Sequence, residues 1–185
     1  MARDTVGDGL ARPGGREKME RKPIPNRILI LGCPGSGKST LARALAARTG
    51  LPLVHLDNLW WRADGTHINR EAFDRALGEL LRGEQWIMDG NYSRTIEVRL
   101  RAADTVIFLD YPESVCMAGI TARVGQPRSD MPWAETSLDP ELVALVQNYR
   151  RDHRPQVLAL LQTYPDKQAL IFTSREEAAR WLSEI

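Results

Sequence analysis

Lys38 and Ser39 stand near the end of the run Gly32-Cys33-Pro34-Gly35-Ser36-Gly37-Lys38-Ser39-Thr40, which meets the spacing Gly-x-x-x-x-Gly-Lys-Ser/Thr in full. Residues of these types at this spacing hold phosphate. Successive backbone N–H groups turn inward around an anion, which takes glycine where the main chain needs positive φ or a close approach to a ligand. Lys38 would reach the β- and γ-phosphates of a nucleoside triphosphate, and Ser39 would place its hydroxyl on Mg2+. A helix opening at Lys38 would turn its positive end toward the same charge.

Further groups have types suited to the other half of a phosphoryl-transfer reaction. Asp57, Asp89 and Asp110 each follow a short apolar run. Asp89 is favoured as the carboxylate that supports Mg2+, because Gly90 directly after it lets the backbone turn close to a ligand, and Asp110 competes for that role. Asp57 would accept the proton of an attacking hydroxyl or orient the acceptor. Trp60 and Trp61 follow, either stacking on a flat substrate or packing a small subdomain. Gly90, Asn91, Tyr92 and Arg94 would face the acceptor, with Arg94 placed to grip an anion through two parallel hydrogen bonds. Arg123 and Arg128 flank an irregular segment, and Arg150, Arg151 and Arg154 sit on the helix returning from it. Arginines so carried can neutralise a transferring phosphoryl group. His55, His67 and His153 lack metal-ligand spacing, and the two cysteines lie far apart in the chain, which argues against a zinc site.

The elements that must position these groups alternate in type. Apolar runs over Ile28–Leu31, Leu51–Leu56, Trp86–Met88, Thr105–Leu109 and Ala169–Phe172 predict five strands. Helical spacing predicts helices over Lys38–Thr49, ended by Gly50, and over Arg70–Arg82, with Phe73, Leu77, Leu80 and Leu81 on one face. Further helices are expected from Ser93 to Ala103, from Pro112 to about Arg123 and from Asp139-Pro140 to about His153. Pro155 forces a restart, and Ser174-Arg-Glu-Glu177 reads as a capping box for the last helix. Asn58–Asn69 and Val124–Leu138 read as loops, the second as a lid. This alternation means an α/β domain in three layers, helix, parallel sheet, helix, with ligands outside the carboxyl ends of the strands.

Composition bounds the rest. The chain of 185 residues is 43% apolar, enough for one domain over 26–185, and a formal charge of +1 gives no global field toward nucleic acid or an acidic membrane. Residues 1–25, rich in Gly, Pro and charge without a long apolar run, read as a disordered tail with no signal or membrane segment. Two cysteines, Cys33 and Cys116, suggest a reducing cytoplasm. An Asn-Lys-x-Asp base-reading motif is absent, which argues against a GTPase. ABC and AAA-type ATPases are set aside because they need longer chains and further signature segments.

With these residues in place, the chain resembles the small P-loop kinases of adenylate, shikimate and gluconate kinase type. More closely it resembles the adenylate kinase-related bacterial proteins often labelled DNA topology modulation protein, or FlaR-like. The resemblance rests on GCPGSGKSTLARALA (Gly32 to Ala46), LPLVHLDNLWW (Leu51 to Trp61), WIMDGNYSRTIEVRLRAADTVIFLD (Trp86 to Asp110) and NYRRDHRP (Asn148 to Pro155). It implies a P-loop NTPase fold with a five-stranded parallel sheet, a small acceptor subdomain and a lid at about 124–138. It also implies ATP rather than GTP, with Arg123 packing on the adenine. Adenylate kinases follow their Asp-Gly pair with Phe-Pro-Arg, whereas Asn91-Tyr92-Ser93 stands here, which argues against AMP as acceptor. The function implied is transfer of the γ-phosphoryl group of ATP to a small molecule. The alternative is an ATP-dependent regulatory or binding protein.

Overall fold

The computed structural model describes residues 25–133 and 135–185. The expected N-terminal tail lies outside the described residues except for Pro25. Five strands form, β1 Arg27–Gly32, β2 Leu53–His55, β3 Trp86–Asp89, β4 Thr105–Leu109 and β5 Gln168–Phe172. They make one parallel sheet in the order β2-β3-β1-β4-β5. The central strands are continuous apolar runs because helices cover them on both faces. Ile28 to Leu31, Ile87, Met88 and Val106 to Leu109 are all buried.

Among the described residues eight α-helices surround the sheet: α1 Lys38–Thr49, α2 Leu56–Trp60, α3 Arg70–Leu81, α4 Ile96–Ala102, α5 Glu113–Ala122, α6 Pro140–Asp152, α7 Arg154–Thr163 and α8 Arg175–Ser183. Their ends follow the chemistry expected of the sequence. The Gly50 N–H caps α1 on the Ala46 carbonyl, Asp139 accepts from the Glu141 N–H at the start of α6, and Ser174 accepts from the Glu177 N–H at the start of α8. Pro155 falls in the first turn of α7, where its missing N–H costs nothing.

One predicted loop is ordered differently. Residues 56–60 are helical, so Asp57 lies in the first turn of α2 rather than at a strand tip, and Trp61 and His67 form an antiparallel bridge that folds the rest of 58–69 back on itself. Leu56, fully buried, anchors that helix to the core directly after β2. The predicted Ser93–Ala103 helix begins as a 3-10 turn, Ser93–Thr95, before α4.

Parallel register sets the site. His55 pairs with Asp89, Ile30 with Asp89 and Gly32 with Leu109, so the carboxyl ends of β2, β3, β1 and β4 finish at one edge of the sheet.

Candidate active site

At that edge lies a cavity of about 1050 Å³, lined by the phosphate loop from Pro34 to Thr40, by Asp57 and Trp61, by Asp89 to Tyr92 and by the irregular segment after α5. The loop is seated by a close backbone contact. A Cβ on Gly35 would lie 2.0 Å from the Cys116 carbonyl oxygen, and one on Gly119 would lie 2.0 Å from the Gly35 carbonyl oxygen. The loop therefore rests on α5 through two residues that must both be glycine. Gly35 and Gly37 also take left-handed φ of 80° and 93°.

Within the loop, Lys38 Nζ donates to the carbonyl oxygens of Gly32 at 2.9 Å and Cys33 at 3.1 Å, which poises the ammonium over the anion cradle. Burial lowers its pKa, while Asp89 and Asp57 pull it up. The Ser36 hydroxyl is buried without a protein partner, a donor that a phosphate oxygen would satisfy. Cys33 and Gly32 contribute main chain rather than side chain. The Cys33 thiol lies beside Cys116 of α5, so the two cysteines, far apart in sequence, meet in the fold. The Cys116 thiol and burial push Cys33 up, and the Cys33 thiol lowers Cys116.

Asp89 is buried and its Oδ1 lies 2.7 Å from His55 Nδ1. The imidazole fixes the carboxylate's orientation, as partners of metal-binding carboxylates do. Sequence reasoning passed over His55, although the pairing of the ends of β2 and β3 brings it to Asp89. Asp110, the competing carboxylate, takes the Arg154 guanidinium on both oxygens, Nε at 2.8 and 2.9 Å and Nη2 at 2.7 Å. That ion pair ties β4 to α7, and Arg154 does not line the cavity. Arg150 is exposed on α6 and also lies outside it.

On the acceptor side, the Tyr92 hydroxyl donates to Asp57 Oδ1 at 2.8 Å. Burial raises the Asp57 pKa, opposed by the Tyr92 hydrogen bond and by Lys38. Tyr92 itself is pushed up by burial and by the Asp57 charge. Its φ of 33° is the only left-handed non-glycine value among the described residues, and its ring stacks on Phe73 at 5.1 Å. Behind this turn sits Arg99, fully buried, which donates to the carbonyl oxygens of Gly90 at 2.8 Å, Tyr92 at 3.3 Å and Thr95 at 3.2 Å and to that of Asn91. The sequence placed Arg99 on a short helix without singling it out. An arginine on a mostly apolar face was the available signal.

One other placement departs from expectation, while Trp60 takes the packing position, one of the two roles expected of it. Arg94 turns away from the cavity and forms a bidentate pair with Asp74 on α3, at 2.6 and 2.9 Å. Trp60 packs inside the small subdomain, stacked on His67 at 4.5 Å and edge-on to Phe73 at 5.4 Å, while Trp61 lines the cavity.

The irregular segment from 124 to 138 has neither helix nor strand among its described residues, and it lies across the cavity. Arg123 pairs with Glu135 at 2.6 Å, and Arg128 pairs with Glu135 at 3.1 Å and with Asp130. Burial lowers Arg123, helped by the Arg128 charge. Burial also opposes the Arg128 charge, but Asp130 and Glu135 outweigh it. The segment is fastened to the opposite wall, where Asn58 Nδ2 donates to the Ser129 carbonyl at 2.9 Å and Arg43 reaches Asp130 at 3.5 Å. In the sequence Asp130 and Glu135 interleave with these arginines. Their alternation with Arg123 and Arg128 is the signal of a self-paired lid.

A family model described as an AAA domain matches residues 28–184. The chain belongs to that family. The AAA-type class set aside above on length is thereby corrected, since the match fits within this chain. Among curated proteins, the adenylate kinase of Mycolicibacterium smegmatis is 35% identical over 100 residues, 50% of this chain and 51% of that protein. The adenylate kinase of Pyrococcus furiosus is 27% identical over 157 residues, 84% of this chain and 55% of that protein. The chain spans about half the length of the curated relatives it matches. Among solved structures, the shikimate kinase of Bacteroides thetaiotaomicron superposes with a TM-score of 0.53 at 19% identity, covering 86% of this chain and 96% of that one. That of Acinetobacter baumannii, in complex with shikimate, gives 0.58 at 17% identity over 86% and 89%. A gluconokinase from Sinorhizobium meliloti gives 0.51 at 18% over 88% and 90%. These likenesses establish the fold, the P-loop α/β/α arrangement expected from the sequence. No helix among the described residues is long and apolar enough to cross a membrane.

Proposed function

We propose that this protein is an ATP-dependent kinase that moves the γ-phosphoryl group of ATP to a hydroxyl of a small molecule. The observation that carries the reading is that one cavity holds the phosphate loop with Lys38 on one side and the carboxylates of Asp57 and Asp89 on the other. The curated relatives named adenylate kinase support it.

In this reading the loop amides and Lys38 bind the triphosphate, and Ser36 donates its free hydroxyl to it. The residues present fit Mg2+. Ser39 and the buried, His55-oriented Asp89 are hard oxygen donors, and Mg2+ takes one or two carboxylates plus phosphate oxygens rather than a full protein cage. When bound, the ion supplies charge neutralisation to the phosphates. Asp57, raised in pKa by burial, takes the proton of the acceptor hydroxyl, and Tyr92 holds it in place. Arg123 and Arg128 sit on the segment that covers the cavity and keeps water from the phosphoryl group. Arg150, Arg154, Arg94 and Trp60 take no direct part.

The test is ADP release by the purified full chain with Mg-ATP, measured with and without a panel of small alcohols, acids and nucleotides. Acceptor-dependent release is expected, and Lys38→Ala should abolish it while weakening ATP binding at least 30-fold, about 2 kcal/mol, for loss of a charge-assisted contact. A panel without any acceptor-dependent release, or unchanged ATP affinity in Lys38→Ala, would overturn the reading.

A further inference from the structure

Among the described residues, the wall that would receive the acceptor carries negative charge and no cation of its own. The ends of β2 and β3 present Asp57, Asp89, Asn91 and Tyr92, and Trp61 meets Trp133 edge to face at 6.0 Å to close an apolar corner. The two arginines on the adjoining elements are turned elsewhere: Arg94 is held outside by both oxygens of Asp74, and Arg99 is spent on backbone carbonyls. Arginine is the side chain that grips phosphate or carboxylate bidentately, and this wall offers none.

Among the described residues the cations facing this wall come from the phosphate loop, Lys38, and from the lid, Arg123 and Arg128. Arg123 and Arg128 share Glu135, and Arg128 also holds Asp130. A triphosphate in the loop carries more charge than any small acid and has the first claim on Lys38 and on these arginines, the cations that act on Asp57. With them held by the triphosphate, an anionic acceptor would meet Asp57 with no free counter-charge, and like charges in a secluded site reject a ligand. An indole corner beside a buried carboxylate suits the C–H face of a polyol or an ammonium group.

We infer that the acceptor presents its reactive hydroxyl on an uncharged or amine-bearing skeleton, with neither phosphate nor carboxylate. The inference rests on the kinase reading above. In the step itself, the hydroxyl oxygen forms a bond to the γ-phosphorus as the bond from that phosphorus to the β-bridging oxygen breaks. ADP leaves, and the hydroxyl proton passes to Asp57.

The experiment is calorimetric titration of the full chain, saturated with Mg2+ and a non-hydrolysable ATP analogue, with probes matched in skeleton and differing in charge: glucose, glucosamine, gluconate and glucose 6-phosphate, and adenosine against AMP. Uncharged or amine-bearing members should bind at least tenfold tighter than their anionic counterparts. Glu135→Gln, which releases Arg123 and leaves Arg128 on Asp130 alone, should narrow that gap. The separation of glucose from glucosamine tells a neutral from an amine-bearing preference. Tighter binding by an anionic member overturns the inference, as does an absence of binding across the set. Anion binding with anion-dependent ADP release leaves the kinase reading standing, whereas neutral binding without ADP release sinks that reading and not this one.

Discussion

Asp130, on the segment across the cavity, is held on both carboxylate oxygens by the Arg128 guanidinium, and Ser39, the side chain that the phosphate loop would offer to a metal, lies beside it. Asp130 is buried, and although burial opposes its charge, Arg128 and Ser39 hold its carboxyl well below the usual carboxylate range. A nucleotide's phosphates at Ser39 would meet the Asp130 charge close by. Asp130→Asn keeps the shape and removes that charge, so Mg-ATP should bind several-fold tighter by calorimetry. Weaker binding with a raised Mg2+ requirement would mean instead that Asp130 serves the metal.

Asp57 trades stability for chemistry. Its folded-state pKa is raised, so the folded protein holds the proton more tightly than the unfolded chain. Stability is therefore lost as pH rises from the unfolded carboxylate value through the folded one, and that loss is complete above it. Asp57→Asn should melt a few degrees higher than the parent at pH 8 and no higher at pH 3, as followed by circular dichroism, while kcat falls by a factor of about 10² to 10⁴ for loss of a general base. Equal melting differences at both pH values would show that the Asp57 charge is not a cost.

The sheet and most helix ends were legible because they rest on local chemistry: branched apolar runs for strands, Gly50, Asp139 and Ser174 for helix termini, and the fixed spacing of Gly32 to Ser39 for the phosphate loop. The short helix over Leu56–Trp60 was not, because five residues give too little periodicity and its support is the burial of Leu56, a tertiary effect. Pairings were hidden for the same reason. Arg94 reads as an anion-binding residue until α3 brings Asp74 to it from 20 residues away, and Arg154 reads as a lid arginine until Asp110 takes it. Conversely His55 and Asp89 look unrelated until parallel register sets them side by side.

Gly119 lies inside α5, where glycine costs about 1 kcal/mol relative to alanine and needs a reason. The reason is the Gly35 carbonyl, 2.0 Å from where a Cβ would stand. Gly119→Ala must push the phosphate loop off α5. A loss of about 1–3 kcal/mol is expected from overpacking, read in urea unfolding, together with at least tenfold weaker ATP binding. Weakened stability with unchanged nucleotide affinity would show that the loop tolerates displacement from α5.

Arg99 has the opposite profile: it touches no part of the cavity lining with a reacting group, yet it fixes the turn that carries Asn91 and Tyr92. Burial lowers its pKa, and no carboxylate pairs with it. Its donors go to the backbone oxygens of Gly90, Asn91, Tyr92 and Thr95 and to the Thr95 hydroxyl. Arg99→Met fills much of the volume but leaves those carbonyls without donors in the interior, at a cost of about 1–3 kcal/mol each, against which the released desolvation of the guanidinium is set. A net loss of about 3 kcal/mol is expected, or about 6–12 °C in Tm for a chain of this length. Tyr92, at φ 33°, holds its strained backbone only while that framework over-determines it. In the variant the Tyr92 hydroxyl should lose Asp57, and acceptor KM should rise more than ATP KM. Arg99→Lys keeps the charge without the planar fork and should recover less than half of the lost stability. Full recovery by lysine would mean that charge alone, and not the five-donor geometry, secures the acceptor turn.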